Sequence, residues 1–164
     1  MNRSRILFAI AAAAAVVSSA AFAGTADVKF IDPDNMTDLA TNKFEEADTM
    51  RTLTNYVQHL AERLPADQVL HVEFLDVDLA GTWRETKRGR VRTVKNRADP
   101  PKFHVRYSLE SQGKVVRSGD ERLTDLDYTN HVFLGSTSTP LYFEKRVLDK
   151  WFTRSFTPQV ADSR

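Results

Sequence analysis

The sequence predicts an α+β fold: a mostly antiparallel sheet of four to five strands with two helices packed on one face. Three observations lead there. Phe103, Val105, Tyr107 and Leu109 alternate with polar residues as in a half-buried strand. Ser111-Gln112-Gly113 then turns the chain, and Lys114 to Leu123 returns as the hairpin partner. Met50, Leu53, Val57, Leu60 and Leu64 recur at spacings of 3, 4, 3 and 4, which is one face of a helix. Near the end of the chain, Phe143, Val147, Leu148, Trp151, Phe152 and Phe156 cover more than half the circumference of a second helix. So wide an apolar arc docks deeply on a sheet, with Trp151 and Phe152 as core anchors.

Residues 1–23 read as a cleavable signal peptide. Arg3 and Arg5 precede the apolar run Ile6 to Val17, and Ala21-Phe22-Ala23 has the small-x-small form of a cleavage site. The run is well short of the ~20 apolar residues that span a bilayer. Export would leave residues 24–164 as a single α+β domain, long enough for one real core. The chain has no cysteine, so disulfides, thiolate ligands, a Cys nucleophile and a lipid anchor on an N-terminal Cys are all absent.

Val28 and Phe30 mark a short first strand, which Asp32-Pro33-Asp34 ends as a turn. Asn42 has the position of an N-cap, with Glu45 in the capping-box place. Phe44 and Ala47 extend the apolar stripe of the first helix, and Pro65 stops it. In the next strand Leu70, Val72 and Phe74 alternate in one phase, then Leu75, Val77 and Leu79 in the other. A side-chain period of two makes this a slip of one residue. Either a bulge sits near Phe74-Leu75, or the strand is buried on both faces. The stretch from about Arg88 to Val94 reads as a further extended segment, closed by Pro100-Pro101. Residues 129–138 read as an irregular loop, after which Thr139 caps the last helix and Pro140 takes its first position. The first strand, helix and second strand together suit a parallel crossover.

Net charge hides an asymmetry. Without Arg3 and Arg5, 21 basic side chains face 22 acidic ones. Residues 84–106 hold nine basic side chains and only Glu85 and Asp99 as acids, so this segment is +7 and the remainder −8. Three uses suit such a run: a solvated edge whose like charges deter pairing, complementarity with the acidic remainder, or a grip on an anionic partner. For the last, Arg88, Arg90, Arg92, Lys95 and Arg97 are the candidates. Nucleic acid suits an exported chain poorly, and only Trp83 and Phe103 flank the run as stacking aromatics. An anionic envelope component, such as lipid headgroups or acidic glycans, suits it better.

Chemistry has few candidates. The histidines His59, His71, His104 and His131 show no metal spacing, and HExxH, GxSxG, GxGxxG and phosphate-loop motifs are missing, so no cofactor is expected. Asp76 and Asp78 point to one face of an extended chain. A bulge leaves them in water, whereas an unbroken phase buries both, at a cost that demands a cation or a shared proton. Asp125 and Asp127 repeat the spacing, so these four carboxylates are the weak candidates for a metal site, and Ca²⁺ would be the ion. Glu144 falls inside the apolar arc of the last helix. It is read as a carboxylate paired internally with Arg97 or Arg122, or as a catalytic one with Asp76 and Asp78.

Six stretches together, "VKFIDPDNMTD", "RLPADQ", "LDVDLAG", "RADPPKFHVRY", "SGDERLTDLDY" and "PLYFEKRVLDKWF", resemble the domain of unknown function 3016 family of exported bacterial proteins. The resemblance runs over nearly all of the chain beyond the signal. It implies a signal-bearing periplasmic protein of Gram-negative bacteria and implies no activity. It draws attention to Asp76, Asp78, Arg97, Glu121, Arg122, Asp125, Glu144, Asp149 and Trp151. The run Arg84 to Arg88 is more basic than the family pattern at that point, so a polyanion-binding role does not come with it. The expectation is therefore a non-catalytic binding or accessory module of the envelope. The alternative is a carboxylate-based hydrolase or metal-dependent enzyme using the Asp76/Asp78 region.

Overall fold

A computed structural model describes residues 23–87, 89–94, 99–128 and 139–157. Residues 1–22, which hold most of the expected signal 1–23, residues 129–138, expected as a loop, and the side chains of Arg88, Lys95, Arg97 and His131 lie outside the described residues. The elements are β1 (Thr25–Phe30), a 3-10 turn (Pro33–Asn35), α1 (Lys43–Ala61), β2 (Gln68–Asp78), β3 (Thr82–Thr86), β4 (Gly89–Thr93), β5 (Lys102–Ser111), β6 (Lys114–Thr124) and α2 (Tyr142–Phe156).

The main sheet has four strands in the order β1-β2-β5-β6. β1 runs parallel to β2, and α1 makes the crossover between them. β5 lies antiparallel to both β2 and β6. This is the α+β architecture that the alternation and the two helical stripes imply. β3 and β4 form a separate two-stranded sheet. Only its second strand was legible, because "TWRET" lacks the apolar alternation of a core strand. The hairpin turn between β5 and β6 places Gln112 and Gly113 at φ 52° and 74°, as a two-residue loop requires.

Both helices cover one face of the main sheet. Leu53, Val57, Leu60 and Ala61 of α1 and Val147, Leu148, Trp151 and Phe152 of α2 are buried. They pack on Leu70, Val72, Phe74 and Val77 of β2, on Phe103, Val105, Tyr107 and Leu109 of β5, and on Leu123 of β6. Aromatic rings run through this core: Phe30 stacks on Phe74 at 4.8 Å, Phe74 meets Phe103 at 5.6 Å, and Tyr107 meets Trp151 edge-on at 5.4 Å.

The phase slip in β2 is a bulge. Register with β5 shifts between Phe74 and Asp76, so Leu75 is the extra residue. Leu70, Val72 and Phe74 are buried before it, and Val77 and Leu79 after it. Leu75 itself is half-buried, and Asp76 and Asp78 stay on the open face. The energetics favour this outcome. A bulge gives up a ladder hydrogen bond, about 1 kcal/mol net. Burying two carboxylates would cost several kcal/mol each.

Helix ends differ from the pattern. Asn42 does cap α1, its Oδ1 accepting from the N–H of Phe44 and Glu45 at 3.0 Å each. Phe44, however, leaves the apolar stripe and is 83% exposed. At about 100° per residue, Phe44 falls on the side of the helix opposite Leu53, away from the buried stripe. α2 begins at Tyr142 rather than Pro140, with Leu141 at φ 53° in the N-cap place and no side-chain cap.

One close contact inside the sheet yields a prediction. A Cβ on Gly119 would lie 2.7 Å from Cε1 of Tyr107 and 2.8 Å from its hydroxyl. The ring cannot yield: Trp151 and Phe156 hold it edge-on, and its hydroxyl donates to Glu121 at 3.0 Å. Gly119→Ala is expected to destabilise the fold by about 1–3 kcal/mol, the range for overpacking. Urea denaturation would check it, and an unchanged midpoint would contradict the contact.

Candidate functional site

The charged residues singled out by sequence gather around the end of β2. The chain leaves β1, passes the 3-10 turn and returns to β2 as a short parallel bridge, with the N–H of Asp38 donating to Val77 O at 2.9 Å and that of Leu79 to Asp38 O at 3.2 Å. Asp76 fastens this return. Its two oxygens accept from the N–H of Thr37 at 2.7 Å and from the Thr37 hydroxyl at 2.9 Å. Asp78 accepts from Lys102 Nζ at 2.7 Å. The two aspartates share a face yet serve different partners.

Arg92 joins this end to the β3–β4 hairpin. Its guanidinium grips Asp38 through both ends, at 2.8 and 2.9 Å. It also donates to the carbonyls of Leu79, Ala80 and Gly81 at 3.2, 3.4 and 3.3 Å. Its Cζ lies 4.5 Å from the centroid of the Trp83 ring, and Trp83 Nε1 donates to Asp38 at 3.3 Å. A planar fork suits such a site because it reaches a carboxylate, several carbonyls and an aromatic face at once. Gly81, at φ 84°, sits where a Cβ would be 2.5 Å from Thr93 O, so the turn needs a glycine to bring the hairpin in. The anion that Arg92 holds is the chain's own Asp38.

Glu144 closes the same region from the helical side. It is 3% exposed in the first turn of α2, and its carboxylate accepts the N–H of Ala80 at 2.8 Å. Burial pushes its pKa up, while the Ala80 N–H, its own N–H, Arg92 and Lys145 pull the other way. Of its two candidate partners Arg97 lies outside the described residues, and Arg122 stands on the open face of β6 opposite His104, across the sheet from α2. Glu144 is thus held by a backbone N–H with a guanidinium nearby, not by Arg122. Asp125, 6% exposed, ties the end of β6 to α2 through Lys150 at 2.6 Å and Arg146 at 3.4 Å, and takes the N–H of Asp127 at 3.1 Å.

These carboxylates do not converge. Asp76 and Asp78 lie on the open face, Glu144 lies on the helical face, and Asp125 turns to α2 with β5 between it and Asp78. Among the described residues no group of three or more His, Asp or Glu side chains is placed to hold a metal ion. The pocket beside Trp83 and Arg92 measures about 240 Å³, and Glu45, Asp48 and Leu141 also line it. Typical ligand sites begin at about 300 Å³.

The hairpin itself is the basic feature that stays open. Arg84, Lys87 and Arg90 are exposed on it. Arg90 leans over Trp83 at 5.6 Å and reaches Glu85 at 3.0 Å, a pair in which Glu85 is itself 78% exposed. Sequence reasoning did not find Asp38 or the stacking role of Trp83. A lone acid in a loop has no spacing to mark it, and only the opposed charges of the basic run and the remainder hinted at internal pairing.

The open face of the main sheet is a second ordered surface. Across the strands, Lys29, Glu73, Arg106 and Asp120 stand in one row. Asp76, His104 and Arg122 form the next, then Asp78, Lys102 and Thr124. Arg106 reaches Glu73 at 3.3 Å and Asp120 at 3.6 Å, and His104 contacts Asp120 at 2.6 Å. The hydrogen bond from His104 holds the Asp120 carboxyl below its usual range. A hollow of about 440 Å³ lies over Glu73, Arg106 and Ser108.

A family model described as a protein of unknown function, DUF3016, matches residues 24–154. No curated protein matches the chain. Among the described residues no helix is long and apolar enough to cross a membrane.

Two predictions test the end of β2. Arg92→Ala takes from Asp38 its charged donor, leaving only Trp83 Nε1, and from three carbonyls the guanidinium they share. It is expected to cost about 2–3 kcal/mol, below the 3–5 of a fully buried pair because both side chains keep some solvent contact. Arg92→Lys should recover only part of that, since an ammonium cannot bind at both ends. Urea denaturation, with tryptophan emission as a second probe of Trp83, would read both. Glu144 gives a pH signature. A carboxyl whose folded pKa is raised favours the folded state while protonated, and that contribution is lost as pH rises through the folded pKa. The melting temperature of the native protein relative to Glu144→Gln should therefore fall as pH rises from the ordinary carboxylate range toward neutrality. A difference that rises or stays flat would contradict this.

Proposed function

The chain belongs to the DUF3016 family, and from that premise we propose that it is a non-catalytic binding module of the bacterial cell envelope. Its contact surface in this reading is the β3–β4 hairpin, and its partner an anionic envelope component. One observation carries the reading: the hairpin is anchored through Arg92 and Trp83 on one side while Arg84, Lys87 and Arg90 remain exposed. The cation used for anchoring is thus distinct from those left for a partner. An anchored hairpin that displays exposed cations gives a field that attracts anions. The envelope location rests on the signal pattern of residues 1–23, and the family match starting at residue 24 is in keeping with it. In the same reading residues 24–164 act as one domain. The carboxylates support binding over catalysis, since each is occupied by a partner from its own chain.

The test is co-sedimentation with vesicles of anionic or neutral phospholipid over a salt series. The native protein should bind the anionic vesicles and release as salt rises. Each basic side chain near such a surface is worth about 1 kcal/mol. With Arg90 partly satisfied by Glu85, the Arg84→Ala/Lys87→Ala/Arg90→Ala variant should bind more weakly by on the order of tenfold or more. Arg92 is kept, because its loss would disturb the fold. If the triple variant binds with the same affinity and salt dependence as the native protein, the hairpin is not the contact.

A further inference from the structure

The helices leave one face of the main sheet open, and its charges form a pattern with a definite symmetry. In the strand order β1-β2-β5-β6 the central row is Lys29, Glu73, Arg106, Asp120: plus, minus, plus, minus. A row that alternates over an even number of strands becomes its own complement when reversed. A second sheet laid face to face about a twofold axis parallel to the strands presents that reversed row. Lys29 then faces the second copy's Asp120, and Glu73 faces its Arg106. The neighbouring rows obey the same rule: Asp76 meets the copy's His104, and Asp78 its Lys102. A twofold axis running across the strands would instead set Lys29 on Lys29 and Glu73 on Glu73. Charge therefore favours one arrangement and disfavours the other.

We propose that the open sheet face is the docking surface for a second copy of this chain, related by a twofold axis parallel to the strands. The groups keep capacity for it. The side chains of Lys29, Glu73, Arg106 and Asp120 are 63%, 35%, 57% and 51% exposed. The internal contacts of Arg106, at 3.3 and 3.6 Å, leave guanidinium donors unused. Facing sheets stand about 10 Å apart, within reach of Arg and Lys from both sides. The hollow over Glu73 and Arg106 gives those long side chains room. Four strands at ~4.8 Å and five rows at ~7 Å give a face of about 670 Å², somewhat under the ~800 Å² per partner of a standard interface. A contact of that size held by charge is a weak and salt-sensitive dimer. This inference does not depend on what the hairpin binds.

Sedimentation velocity over a concentration series tests it. The native protein should form dimers at low salt, with affinity falling by on the order of tenfold or more at high salt. Glu73→Lys sets like charges against the copy's Arg106 at two symmetric places, and Arg106→Glu does so against its Glu73. Each variant should sediment as a monomer while melting as a folded protein. The equimolar mixture of the two variants makes both pairs complementary again, so dimers should return. That recovery cannot come from a folding defect in either variant. A native protein that stays monomeric at low salt overturns the proposal. So do variants that dimerise as the native protein does, or a mixture that stays monomeric.

Discussion

One extra residue in β2, Leu75, sets the arrangement of the rest. Before it the strand buries Leu70, Val72 and Phe74; after it Val77 and Leu79. Without the slip, the second half of the strand would place Asp76 and Asp78 against Phe103 and the helices, and the sheet would carry two unpaired charges in its core. With it, both carboxylates remain on the open face, where one fastens Thr37 and the other meets Lys102. Beside the bulge the chain after β1 leaves the sheet at Ile31 and rejoins it at Asp38. The position of Asp38, and so of everything Arg92 holds, follows from that return.

The charge asymmetry resolves into two separate devices. Arg92, though part of the most basic stretch, is the least free of its described cations. It links a carboxylate, three carbonyls and an indole ring, and so joins the hairpin to the main sheet. Arg84, Lys87 and Arg90 are displayed on what Arg92 fixes. The acidic remainder is likewise not one patch. Asp125 and Glu121 tie β6 to α2, the latter through Arg154 at 2.8 Å, and Asp149 ties α2 to Arg63 of the turn after α1 at 2.8 Å. The exposed pairs among these, Arg63–Asp149 and Arg154–Glu121, contribute little each. Their place around α2 orients a helix whose stability comes from Trp151 and Phe152.

How much of this was legible depends on whether the signal was periodic. The alternation of β5, the 3-4 spacing of α1 and the broad arc of α2 are repeats, and burial enforces repeats. The double phase of β2 was legible for the same reason, because a slip in a period of two is visible in the letters. β3 was not legible: a hairpin strand packed through Trp83 alone needs no alternation. Asp38 was hidden too, since its partner lies far along the chain and no spacing connects them. Phe44 misled, because it lies nine residues before Leu53, which at about 100° per residue is the opposite side of the helix.

By itself the sequence determined the class of the fold, the two helices and the core strands, each of which follows from local periodicity that can be evaluated without knowing neighbours. It posed the choice between burying and wetting Asp76 and Asp78, and the register of β2 against β5 settled it. The tertiary structure alone decided which partner each charge takes: Asp38 for Arg92, the Ala80 N–H for Glu144, Lys150 and Arg146 for Asp125. It alone set the cross-strand order of Lys29, Glu73, Arg106 and Asp120 on the open face. Electrostatic pairing acts through space over a few ångströms, and only strand order and register determine which distant residues come that close.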